Sequence, residues 1–277
     1  MAAITDHTDA IDGQPVFWRS APAPDPGAPP ALYLHGVPTS SDDWLPFLER
    51  TGGLAPDLMG FGRSGKRGDL DYTIEGYAAF LERFLERAGV ARVRLVVHDW
   101  GTVGLVWAMR APERVERLVV INAVPLLPGY RWHRIARLWR TRMVGEVVIG
   151  ATTRAGMRHL SREANATPGP LPDAVINGVV AHFDQGTQRA ILQLYRSSPE
   201  DRLAAVGARL GAVRCPALVV WGDADPYIPP RFADAYAAAL GGRARTVHLS
   251  DAGHWPWLDR PDMIDTVADF LSGPPEN

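Results

Sequence analysis

Short apolar runs alternate with helical patterns in two separated stretches of this 277-residue chain, and this alternation limits the possible fold more than any other feature. Ala31 to His35, Leu54 to Asp57, Arg94 to His98 and Leu118 to Asn122 read as strands. Between them, Asp43 to Arg50 (with Ser41 as a cap), Ile74 to Ala88 and Trp100 to Arg110 read as helices, the second with apolar residues at 77, 80, 81, 84 and 85. The pattern resumes with strands at Ala217 to Trp221 and Thr246 to Leu249 and helices at Arg231 to Leu240 and Asp262 to Leu271. Repeated βα units predict an α/β fold, a mostly parallel sheet covered by helices on both faces. Ser20 to Pro30, with five prolines, reads as a surface loop between strands.

From about 126 to 212 the strand signal disappears. This predicts a helical cap inserted into the sheet domain, with 1–125 as the first part of the core and 213–277 as the second. The cap begins basic: Gly129 to Asn165 holds eight arginines against two glutamates, a net +6 that leaves −8 for the rest of a chain whose total is −2. A solvated helix face accounts for this, with attraction of an anionic partner as the alternative. The near-neutral total gives no global field for nucleic acid. Cys215 is the single cysteine, which fits a reducing cytoplasm. The first residues lack a signal-peptide pattern, and no apolar run is long enough to span a membrane. The expectation is a cytoplasmic protein with an unspecified oligomeric state.

One motif misleads. Gly60-Phe-Gly62-Arg-Ser-Gly65 matches G-x-G-x-x-G, but a loop follows where a dinucleotide site needs a helix. Ser64 in the same stretch lacks the strand-turn-helix setting of a nucleophile.

Val96-Val97-His98-Asp99-Trp100-Gly101 has that setting. A carboxylate there sits outside the carboxyl end of a parallel strand and at a helix N-terminus, where ligands bind and negative charge is favoured. Capping alone also explains it. Two further features favour chemistry. Ala217 to Trp221 runs into Gly-Asp223-Ala-Asp225-Pro, and the last strand runs into Asp251-Ala-Gly-His254-Trp. A nucleophile, an acid and a histidine thus all leave the same sheet edge, the arrangement of a catalytic triad.

On these residues, with His35-Gly36-Val37-Pro38 and Ala55 to Lys66, the chain resembles the α/β-hydrolases across nearly its whole length. His98-Asp99-Trp100-Gly101 resembles the epoxide hydrolase and haloalkane dehalogenase branch, whose nucleophile is Asp. The resemblance implies Asp99 as nucleophile, His254 as base, Asp225 rather than Asp223 as acid, and the backbone N–H groups of Val37 and Trp100 as oxyanion donors. Asn122 stands where some dehalogenases carry the acid. It also implies an apolar electrophile and water as substrates, with no metal or organic cofactor.

The leaving group is read from the remaining positions. Trp100 and Trp139 resemble halide donors, with Trp132 as another candidate, while Val37 lacks the side-chain donor often found at its position. Tyr195 resembles one of the two cap tyrosines of epoxide hydrolases, and Ile135 stands near the other's place. His35 joins Tyr195, Trp100 and Trp139 as a candidate substrate contact. The expectation is an epoxide hydrolase, with a haloalkane dehalogenase as the alternative. A non-catalytic binding protein on the same fold is the reading from another class.

Overall fold

The computed structural model describes residues 3–273. Eight strands form one sheet: β1 (Thr5–Ile11), β2 (Gln14–Ala21), β3 (Ala31–Leu34), β4 (Gly53–Pro56), β5 (Val93–Asp99), β6 (Val115–Ala123), β7 (Ala217–Gly222) and β8 (Ala244–Leu249). Their order is β1-β2-β4-β3-β5-β6-β7-β8. The β1/β2 and β2/β4 pairs are antiparallel and the rest are parallel. In the central strands the pleat divides the core. Leu34, Val97, Val120 and Val219 face one layer of helices, while Tyr33, Val96, Val119 and Val220 face the other. Burial on both faces explains why these strands read as continuous apolar runs rather than as alternating ones.

The β1/β2 hairpin is a finding that the apolar pattern does not predict. β1 is polar and largely exposed, and it is held by pairing with β2 through a turn in which Asp12 and Gly13 both have positive φ (51° and 72°). An Asp-Gly pair suits such a turn.

The helices of the first part are α1 (Leu45–Thr51), α2 (Ile74–Arg87) and α3 (Val103–Ala108). α2 buries Tyr77, Phe80, Leu81, Phe84 and Leu85, each contributing about 1.5–3 kcal/mol on burial. Thr73 caps it by accepting from the Gly76 N–H at 3.1 Å. Two expected starts differ from what is observed. The α1 region opens as a 3₁₀ turn over Ser41–Trp44, and its cap is Ser40, which accepts from Asp42 N–H. The Ser41 hydroxyl instead accepts from Arg19. The helix expected from Trp100 to Arg110 opens as a 3₁₀ turn over Trp100–Thr102 and ends at Ala108. Pro112 lies just beyond, where a helix cannot continue.

Between β6 and β7 lie six α-helices: α4 (Arg134–Arg140), α5 (Val144–Gly150), α6 (Arg154–Leu160), α7 (Asp173–His182), α8 (Gln185–Ser197) and α9 (Glu200–Gly207). The described residues there contain no strand. Among the arginines of 129–165, Arg134, Arg140, Arg154 and Arg158 pair with acids of the same insertion. The chain closes with α10 (Arg231–Ala239), α11 (Pro256–Asp259) and α12 (Met263–Ser272). Among the described residues no helix is long and apolar enough to cross a membrane.

The Gly60–Gly65 segment is structural. Ser64 is buried, its hydroxyl donating to Asp57 O at 2.7 Å and accepting from Phe17 N–H at 3.0 Å. Gly62 has φ +52°, and a Cβ there would lie 2.1 Å from Asp57 Oδ2. The stretch is a tight wrap around the Asp57 carboxylate.

Candidate active site

Asp99 ends β5 with φ 48° and ψ −119°, a conformation that costs a side-chain-bearing residue roughly 1–3 kcal/mol. The neighbouring glycines make this turn possible. A Cβ on Gly101 would lie 2.1 Å from Leu34 O, and one on Gly36 would lie 2.4 Å from Asp99 Cβ. The Asp99 side chain makes no capping hydrogen bond to the turn that follows it. The turn aims it instead at the loop after β3, where the Val37 N–H donates to Oδ1 at 2.8 Å. Burial pushes the Asp99 carboxyl above its ordinary value, opposed by His254 and by the N–H groups of Val37 and Trp100.

The loop after β8 places His254 beside Asp99. Its Nδ1–H donates to Asp225 Oδ2 at 2.7 Å, and its Nε2 lies 3.6 Å from Asp99 Oδ2. The first bond fixes the tautomer and leaves the Nε2 lone pair facing the carboxylate. A 3.6 Å separation is not a hydrogen bond, so Oδ2 keeps its lone pairs while Oδ1 is held by Val37. Burial alone would lower the His254 pKa. The charge and hydrogen bond of Asp225, followed by the charges of Asp99 and Asp43, outweigh it and raise the value. The backbone of His254 is pinned on both sides, its N–H to Ala164 O and its O to the His98 ring, each at 2.8 Å.

Asp225 follows β7 and is fully committed. Its Oδ1 accepts from the Tyr227 and Ile228 N–H groups at 2.7 and 3.1 Å, and its Oδ2 accepts from Asn122 Nδ2 at 2.8 Å as well as from His254. Asn122 thus braces the acid from the end of β6, with its own Oδ1 taking the Gly222 N–H. Asp223 is elsewhere, with His248 at the surface.

The pair Asp99 and His254 opens onto a cavity roofed by the helical insertion. Trp132, Ile135, Trp139, Ile176, Phe183 and Tyr195 line it from above, and Val37, Thr39 and Tyr227 from below. Tyr195 packs edge-on to Trp100 and Trp139, with ring centroids 5.0 and 5.2 Å apart. Burial, then the nearby Asp99 charge, holds its phenol well above the ordinary value. The Trp139 N–H is buried without a hydrogen-bond partner.

Three candidates sit differently from expectation. His35 lies outside the cavity wall, its Nδ1–H donating to Gly36 O at 2.8 Å and its Nε2 accepting from Leu58 N–H at 2.9 Å. Both nitrogens are occupied in shaping the loop that carries Val37, and the ring does not reach the cavity. The Trp132 N–H donates to Ser198 O at 3.1 Å and is likewise committed. The Trp100 indole is fully buried behind Tyr195 and Trp132, outside the cavity wall, and its N–H lies near the Tyr195 hydroxyl without hydrogen-bond geometry.

The structure adds Tyr130, which the sequence pattern does not mark, and places His133, a substitute with Trp132 or Trp139 for the missing second tyrosine, on the same cavity wall. Tyr130 is 3% exposed, lines the cavity, and has a hydroxyl without a hydrogen-bond partner. His133 caps α4 through Nδ1, and burial followed by the His254 charge pushes its pKa down to about 4, so its Nε2 carries the proton. Both lie in the irregular run between β6 and α4, where no periodicity assigns a direction to a side chain.

A strained strand-to-helix carboxylate, a histidine oriented by a buried acid, and a sheet of this order define an α/β-hydrolase. Residues 29–261 match the family described as the alpha/beta hydrolase fold, and the chain belongs to that family. Within it, the chain lies in the branch that holds haloalkane dehalogenases and epoxide hydrolases. It is 29% identical to a haloalkane dehalogenase of Bradyrhizobium diazoefficiens, covering 94% of this chain and 92% of that one. It is 26% identical to epoxide hydrolase A of Mycobacterium tuberculosis, covering 95% and 96%. The crystal structure of haloalkane dehalogenase DbeA from Bradyrhizobium elkani superposes with a TM-score of 0.83 at 27% identity, covering 98% of each chain.

Proposed function

We propose that this enzyme hydrolyses epoxides to vicinal diols through a covalent ester on Asp99. The observation that carries the choice of epoxide is the Tyr195 phenol on the cavity wall, within electrostatic reach of Asp99. The unpartnered Tyr130 hydroxyl, in charge contact with both, supports it as a second donor in place of Ile135. Asp99 Oδ2 attacks an epoxide carbon, the C–O bond breaks, and the oxygen takes the phenolic proton of Tyr195. His254 Nε2 then takes a proton from water, whose oxygen bonds to Asp99 Cγ. The tetrahedral oxyanion forms on Oδ1, between the N–H groups of Val37 and Trp100, each worth about 3–4 kcal/mol. Collapse breaks the ester C–O bond and releases the diol as its alkoxide; the new Asp99 carboxyl, which carries the second water proton, loses it to solvent and becomes the carboxylate again. His254 returns its proton to the departing alkoxide, and Tyr195 is reprotonated by solvent. This scheme uses no metal or organic cofactor. The lone, half-buried Cys215 supports a cytoplasmic setting.

A second reading, haloalkane dehalogenation, is favoured by the unpartnered indole N–H of Trp139, which lines the cavity. Tyr195→Phe separates the two, because a phenol that protonates an alkoxide acts mainly in the transition state. Under the epoxide reading, diol formation from terminal epoxides falls about 10²-fold, while any bromide release from bromoalkanes falls far less. An unchanged epoxide rate, with bromide release lost in Trp139→Phe, selects the dehalogenase.

A further inference from the structure

A second carboxyl lies close to His254, and neither the nucleophile nor the triad uses it. Asp43 belongs to the 3₁₀ turn after β3. Its Oδ2 lies 2.5 Å from Thr39 Oγ1, and Thr39 Oγ1 also lies 3.3 Å from Gly36 O. One hydroxyl proton cannot serve both acceptors, so the state of Asp43 sets the direction of the Thr39 hydroxyl. Thr39 lines the cavity together with Asp99 and His254. On the other side stands Trp255, whose ring packs edge-on to His254 at 4.6 Å and whose buried N–H, beside Asp43, makes no hydrogen bond.

We propose that Asp43 is a positioning residue for the hydrolytic water, acting through the Thr39 hydroxyl. The proposal rests on hydrolysis of an ester on Asp99, which the epoxide and haloalkane readings share. With Asp43 ionised, Thr39 donates to it, and the Thr39 oxygen is free to accept the water proton that His254 does not take. The water lone pair is then directed at Asp99 Cγ. With Asp43 protonated, Asp43 donates to Thr39, which turns its own proton to Gly36 O, and the Thr39 oxygen, with one lone pair taken and no longer donating to a carboxylate, is a weaker anchor for the water.

The surrounding charges leave Asp43 free to switch near neutrality. Asp42 is engaged by Arg19 and Arg63. Asp57 accepts from Ser41 N–H and Arg63 N–H. Burial holds His35 in the neutral form, and His182 on α7 is likewise lowered by burial, followed by Arg63 and Lys66. His254 lies within electrostatic reach of it. Burial pushes the Asp43 carboxyl up to about 7, against its bond to Thr39 and the nearby Trp255 N–H.

The test separates the two half-reactions by rapid quench, using a terminal 1,2-epoxide and a 1-bromoalkane as probes. It also follows ¹³C-labelled aspartate carboxyls of the resting protein by NMR. Asp43→Asn and Thr39→Val are expected to alkylate Asp99 within about twofold of wild type and to hydrolyse the ester about tenfold more slowly, the scale of one hydrogen bond to the reacting water. The acidic limb of hydrolysis should fall from two ionisations to one, with Thr39→Ser restoring the second. A carboxyl titrating near 7 should vanish in Asp43→Asn. The absence of such a carboxyl in wild type, an unaltered limb in Asp43→Asn, or an equal loss in both half-reactions overturns the proposal. Alkylation by bromoalkane alone refutes the epoxide reading and leaves this test intact. Alkylation by neither probe refutes the ester and the role of Asp43 with it.

Discussion

Gly36→Ala tests the geometry on which the chemistry depends. The added Cβ would lie 2.4 Å from Asp99 Cβ, 2.5 Å from Oδ1 and 2.8 Å from Cγ. Carbon atoms pack at about 3.5–4.0 Å, so the loop or the nucleophile must move by about 1 Å. Asp99 sits in a strained turn whose other side is closed by Leu34 O against Gly101, which leaves it no room to retreat. A misplacement of about 1 Å costs on the order of 10²-fold in rate. Overpacking a buried site costs about 1–3 kcal/mol, which lowers Tm by roughly 2–4 °C per kcal/mol in a chain of about this size. The assay is the burst of Asp99 alkylation with a terminal epoxide, beside a thermal melt. Gly150→Ala is the control, since a Cβ there meets nothing within 4 Å inside α5. It should keep the wild-type rate and gain up to about 1 kcal/mol of helix propensity. A wild-type burst and melt in Gly36→Ala would show that the contact between this loop and the nucleophile is not as described.

Further outcomes follow from the same residues. His254→Gln should still be alkylated but not turn over, so intact-mass measurement should find Asp99 carrying the whole mass of an added epoxide; steady turnover in that variant would remove His254 as the base. Asp43→Asn should raise stability at pH 8.5 by at most about 4 kcal/mol, because each pH unit between the ordinary carboxylate value and about 7 is worth about 1.4 kcal/mol. The sign follows from a folded-state pKa raised above the unfolded one. The wild type bears no cost below pH 4, loses stability as pH rises toward 7, and bears the full cost above it. Melts of the two proteins should therefore converge near pH 4, and a gap that stays constant with pH would contradict the raised value.

The parallel sheet was legible because burial on both faces writes each central strand as an apolar run, and Asp99, Asp225 and His254 each follow such a run. The β1/β2 hairpin was not, because Thr5 to Ile11 is polar and owes its strand to backbone pairing. Asp-Gly at 12–13 was the available signal. Ser40 and Ser41 are equally good caps in sequence, and only the Arg19 side chain arriving from β2 distinguishes them. His35 illustrates a different limit. A histidine beside a Gly-Val oxyanion loop invites a substrate role, yet both its nitrogens serve the loop itself. Tyr130 and Asp43 were invisible as site residues, because Tyr130 lies in an irregular run and Asp43 reads as an ordinary acidic residue at a helix start.

Single turnover in ¹⁸O-labelled water tests the central claim most directly. If Asp99 Oδ2 forms the ester and water attacks Cγ, excess enzyme with a terminal epoxide should place ¹⁸O in the Asp99 carboxylate, and the first diol released should carry oxygen from the enzyme. Digestion and mass spectrometry of the peptide containing Asp99 should then find it 2 Da heavier per turnover event. Label found only in the diol, with the Asp99 peptide unchanged, would mean that water attacks the substrate directly and that no ester forms.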